Sequence, residues 1–153
     1  MLRLILGVIV GYIVMSLFFL AVFTGAYLAL GIERVFQPDS YEVSTLWLVI
    51  YGVVFFCGGI LACMVAVAIS RTQRTCQVLA FVIFVAGILL CIPAMRDSGG
   101  LNIRAGEVPN MEAIRLAKLP NWMHLLGPAL GAAGVLLWAR REKVPAPPGD
   151  PIS

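Results

Sequence analysis

The stretch LILGVIVGYIVMSLFFLAVFTGAYLALGI, residues 4–32, decides the fold. It contains no Asp, Glu, Lys or Arg. At about 1.5 Å of rise per residue, a helix needs about 20 residues to cross a hydrocarbon layer about 30 Å thick. This run exceeds that length and must tilt or project its last turns beyond the membrane. Tyr27 and Gly31 suit the emerging end.

Three more runs share this character: residues 43–70, 75–95 and 119–139 are equally free of charge. The whole chain of 153 residues is 61% hydrophobic and 12% charged, about half the charge share of a soluble domain. All of that charge lies between or beyond the four runs. A water-exposed helix needs polar side chains about every turn, so these segments read as lipid-embedded spans rather than a buried core. Transmembrane β-strands would alternate apolar and polar over about ten residues, and no segment does so.

The sequence therefore predicts an all-α integral membrane protein, an up-and-down bundle of four transmembrane helices over about 4–30, 46–69, 76–94 and 120–139. The third span is the shortest because Pro93 disfavours helix in the residue before it. The fourth opens at Pro120, which a first helical turn tolerates. Trp47, Trp122 and Trp138 fall at span ends and are the expected interfacial anchors. A helix over about 110–118, capped by Asn110 and carrying Met111, Ile114 and Leu116, is expected on the membrane surface before the last span. The Pro-rich tail over 144–153 has the composition of a disordered segment. Residues 1–143 form one domain in this reading.

Orientation follows from basic residues. Arg71 and Arg74 crowd a four-residue link, and Arg140, Arg141 and Lys143 abut the last span. Glu33, Asp39, Glu42, Asp97, Glu107 and Glu112 fall in the two opposite loops. Both termini are expected in the cytoplasm, in a bacterial inner membrane. The first run is longer than the apolar core of a cleavable signal peptide, about 7–15 residues, and is read as a retained span.

Chemistry is largely excluded by residue type. Ionisable groups inside a membrane mark proton relays and ion paths, and the spans contain no carboxylate, lysine or arginine. That weighs against proton-coupled exchange of the small four-helix multidrug type. His124 is the only histidine and has no cluster of metal-ligating partners, so no metal site is expected. Pro128 removes the helical bond to the carbonyl of residue 124 and predicts a kink there. Cys57, Cys63, Cys76 and Cys91 form no CxxC pair of the kind that exchanges disulfides, and are read as small apolar packing residues. No HExxH, GxSxG or phosphate-binding glycine loop occurs. No catalytic residue, cofactor or nucleic-acid partner is expected.

Glu33-Arg34-Val35 and Tyr41-Glu42 resemble the Glu-Arg-Val and Glu-Tyr elements of the four-helix membrane glutathione-transferase family. The resemblance spans only residues 33–42, lacks the asparagine expected between the two elements and falls in a turn-rich loop around Gln37-Pro38-Asp39-Ser40. No activity is carried across from it.

What the spans do encode is close packing. Helices already in lipid gain nothing from hydrophobic association, so small residues that let backbones touch decide which faces meet. Gly7 and Gly11 form one such pair, Gly127, Gly131 and Gly134 another set, and Gly58, Ala62 and Ala66 recur every four residues along the second span. Gly7 and Gly11 are expected to pack antiparallel against Ala62 and Ala66, and Gly127 to meet Gly25 or Gly52. The same seams could join copies of the chain in a homo-oligomer. The functional expectation is a non-enzymatic membrane module that packs with partner membrane proteins or lipids. The alternative is a passive small-solute permeation protein, with Tyr12, Ser16 and Thr24 lining its path. A third class, an enzyme acting on bound lipid, would draw on loop residues such as Asp39, Glu42 and Arg104.

Overall fold

The computed structural model describes residues 1–96 and 117–141. Within them the chain forms α1 (Leu2–Leu30), a single-turn α2 (Ile32–Val35), α3 (Thr45–Ser70), α4 (Arg74–Arg96) and α5 (Asn121–Arg141). The four long helices are each long and apolar enough to cross a membrane. The protein is a four-helix integral membrane bundle.

Local sequence sets the helix ends. Gly31 terminates α1 at φ 70°, a backbone conformation that glycine adopts without a steric penalty. Ser44 caps α3: its Oγ accepts from the Trp47 amide at 3.3 Å and donates to the Arg34 carbonyl at 2.6 Å. Arg71, at φ 57°, closes α3 in the left-handed region and begins the short turn into α4. One helix runs slightly further than its proline suggests, and the other passes through its proline as expected. α4 continues through Pro93 to Arg96, and α5 continues through Pro128.

The packing order is not the order in sequence. α3 lies along both α1 and α5, α4 lies along α5, and narrower contacts join α4 to α1 and to α3. Going round the bundle, the sequence is α1, α3, α5, α4. α1 and α3 run antiparallel, with Gly7 near Ala66 and Gly11 near Ala62. α3 and α5 run parallel, because Gly52 meets Leu130 and Ile60 meets Gly134.

Two cores result. One lies between the spans and includes Val8, Met15, Ala62, Ala66, Leu79 and Val135. The other is a small cap over the loop end of the bundle, built from Tyr27, Val35, Phe36 and Val43 with Leu30, Trp47 and Leu119 against them. Its frame is a tight turn: the Ser40 amide donates to the Gln37 carbonyl at 3.2 Å, and Asp39 adopts φ 54°, which aspartate tolerates. Lys118 then pairs in extended form, its amide on the Tyr41 carbonyl at 2.9 Å and its carbonyl accepting from Val43 at 3.3 Å.

That pairing amends the surface helix expected over 110–118. Ala117 and Lys118 are non-helical, because the backbone of Lys118 is engaged by the turn and Leu119 precedes a proline. The remainder of that segment, Asn110 included, and the tail over 144–153 lie outside the described residues.

Candidate functional site

Several of the small residues fall on helix faces where backbones meet. A methyl group added at Gly7 would sit 2.9 Å from the Ala66 carbonyl oxygen, and one at Gly11 would sit 2.9 Å from that of Ala62. Gly58, one step further along the same stripe, faces the Phe18 and Phe19 rings instead of backbone. On the opposite side of α3, Gly59 abuts the Gly131 carbonyl and Gly134 abuts that of Phe56. Gly127 lies under the Tyr51 ring, while Gly25 has nothing within 4 Å. Of the two expected counterparts of Gly127, the structure therefore selects the helix carrying Gly52 and not Gly25. The reason is that α3, rather than α1, runs alongside α5.

Two contacts were not singled out by sequence. Gly59 differs from Gly58 by one position but faces another helix, which only the bundle order reveals. Gly87 accepts the ring of Pro128, whose Cγ would lie 2.5 Å from a methyl group there.

Pro128 has a second consequence. It leaves the His124 carbonyl without its helical donor, and the Cys91 thiol of α4 donates to that oxygen at 3.3 Å. His124 itself is half-buried.

The reading of all four cysteines as packing residues is corrected. Cys63 of α3 and Cys76 of α4 form a disulfide, with Cα atoms 5.6 Å apart and both residues fully buried. Absence of a CxxC motif gave no warning, since the pair spans 13 residues and is created by the register of two helices. Only Cys57, which is exposed on the apolar surface, and Cys91 retain thiols.

The three tryptophans have different surroundings. Trp47 is half-buried beside Phe23, at 5.7 Å between centroids, and Tyr27, at 6.4 Å. Trp122 is exposed in the first turn of α5. Trp138 packs its ring on the interhelical core, and its indole nitrogen is buried with no hydrogen-bond partner among the described residues.

A cavity of about 200 Å³ lies between the four spans. Its walls are mostly aromatic and aliphatic: Phe19 and Phe55, 4.4 Å apart, with Met15, Ile83, Leu90 and Pro128. The polar residues on its lining are Tyr12, Ser16, Tyr51 and Cys91. The Ser16 hydroxyl is committed to the Tyr12 carbonyl at 3.0 Å, and the Cys91 thiol to His124. The Tyr51 ring stacks on Phe55 at 4.4 Å, and its hydroxyl makes no hydrogen bond with a described residue. Thr24, expected beside Tyr12 and Ser16, does not line this cavity and is exposed on the outside of α1.

Asp39 and Glu42 stand exposed on the loop-end turn, and Arg104 lies outside the described residues. Among the described residues, no group of three or more His, Cys, Asp or Glu side chains gathers where it could hold a metal ion. No known protein family, curated protein or solved structure matches this chain. In the short glutathione-transferase-like stretch, Val35 is a core residue of the cap, while Glu33 and Arg34 are exposed.

Proposed function

We propose that this protein is a non-enzymatic membrane module that packs against a partner membrane protein through the outer face of α1. One observation carries the reading. Most of the glycines in the spans are in contact within the bundle, yet Ala21, Gly25 and Ala29 recur every four residues on α1 and are all exposed. Thr24, beside Gly25, adds an exposed hydroxyl. Helices in lipid associate through such surfaces, where small side chains bring backbones together and hydroxyls bond across the contact. The absence of charged side chains from the spans supports a role in binding over one in proton-driven transport or intramembrane catalysis.

The arginine density at the α3–α4 turn and after α5 supports placing both termini in the cytoplasm. Passive permeation, the alternative, would require Tyr12, Ser16 and Thr24 on one path, and only the first two share a cavity. Flux of small neutral solutes into proteoliposomes above the rate of protein-free vesicles would favour that alternative.

The test is purification in mild detergent of the wild type and Gly25→Leu. The expected result is a stoichiometric membrane-protein partner, or a second copy of the chain, that is lost in Gly25→Leu while thermal stability is unchanged. A partner retained at wild-type stoichiometry would overturn the assignment of this face.

A further inference from the structure

The cavity between the spans has the features of a ligand site that the packing role does not use. Its volume of about 200 Å³ exceeds the roughly 150 Å³ of an apolar cavity able to hold benzene. One wall is a run of rings, Phe19 on Phe55 and Phe55 on Tyr51, each pair 4.4 Å between centroids. Aromatic faces of this kind favour another ring, offset-stacked or edge-on, over a saturated chain. Ser16 and Leu90, on α1 and α4, line the cavity and are also exposed on the outside of the bundle. The cavity therefore opens sideways to the membrane interior. No charged side chain lines it.

Tyr51 brings a hydroxyl to the ring-lined wall. It lies beside Gly127, within 2.9 Å of where a methyl group would be, so α5 offers it no side chain at that point. Of the other donors on the lining, Ser16 is engaged by the Tyr12 carbonyl and Cys91 by His124, while the Tyr12 hydroxyl, like that of Tyr51, makes no hydrogen bond with a described residue but does not share the ring stack on Phe55. A hydroxyl in an apolar setting without an acceptor is costly, and a ligand that supplies one recovers that cost.

We propose that this cavity binds a neutral, lipid-dissolved ring compound bearing a hydrogen-bond acceptor such as a carbonyl. The ligand enters between α1 and α4, stacks against Phe19 and Phe55, and accepts a hydrogen bond from Tyr51. A phospholipid acyl chain would match the apolar walls but leave Tyr51 without an acceptor.

The full chain in lipid nanodiscs tests this by fluorine NMR, with empty nanodiscs as the blank. The probes are para-fluoroacetophenone and para-fluoroethylbenzene, similar in shape and differing in the carbonyl. Saturable binding of the ketone, about three- to tenfold tighter than the hydrocarbon, is expected from one hydrogen bond. Tyr51→Phe should bring the two affinities together, and Ser16→Phe, which closes the mouth, should remove both. Wild-type protein alone already decides the matter: no ketone signal beyond the blank, or equal affinity for both probes, overturns the proposal. So does binding that survives Ser16→Phe, or an acyl chain retained in the cavity and not displaced by the ketone.

Discussion

At the scale of single residues, the sign of a substitution depends on which neighbour a small side chain meets. Gly59 abuts the backbone of Gly131, which cannot rotate away. Gly59→Ala is expected to cost about 1–3 kcal/mol by overpacking, read as a lower unfolding temperature in detergent. Gly25→Ala, with open space around it, should stay within about 0.5 kcal/mol of wild type. Equal losses in the two variants would mean that α3 and α5 do not meet as described. Cys91 offers a second test. Cys91→Ala removes the donor to the His124 carbonyl and should cost about 0.6 kcal/mol, an average figure for interhelical hydrogen bonds in a membrane, whereas Cys91→Ser keeps a donor and should lose less. Sequence could indicate that the carbonyl of residue 124 was left open, because Pro128 follows at a fixed spacing. It could not indicate that Cys91, on another helix, supplies the hydrogen.

At the scale of elements, four spans were legible because lipid admits only long uncharged runs, and the observed helices differ from the expected boundaries by a few residues. Their neighbours were less legible. The pairing of α1 with α3 follows from matching small residues at matching depths, Gly7 with Ala66 and Gly11 with Ala62. The parallel pairing of α3 with α5 does not, because Gly58 and Gly59 are equivalent in composition and face different helices. The disulfide belongs to the same class of feature. It joins α3 to α4 near their connecting turn and closes a loop for which chain-entropy arguments give roughly 3 kcal/mol of stabilisation. Two predictions follow from its burial. Under denaturing, non-reducing conditions the protein should take up two maleimides, at Cys57 and Cys91, and four after reduction. In the folded state, a membrane-impermeant reductant should leave the bond intact, since both cysteines are fully buried. Four maleimides before reduction would remove the disulfide from the fold.

At the scale of the whole molecule, the charge pattern that defines the spans also determines what kind of chemistry the interior can hold. The membrane interior contains hydroxyls, thiols, one imidazole at half-burial and a stacked row of rings, but no carboxylate, lysine or arginine. Such an interior is suited to packing and to neutral ligands. The cap over the loop end was hidden from sequence because it joins segments far apart in the chain, with residues 41–43 after the turn on one side and Lys118 on the other. On the outside, the contrast between the occupied glycines of the bundle and the bare Ala21, Gly25 and Ala29 face is the central observation. The most direct measurement is native mass spectrometry of wild-type and Gly25→Leu protein released from mild detergent. Wild type is expected as a complex, with one partner chain or a second copy, and Gly25→Leu as a folded, solitary chain. A wild-type protein that flies alone, or a Gly25→Leu variant that keeps its complex, would contradict that expectation.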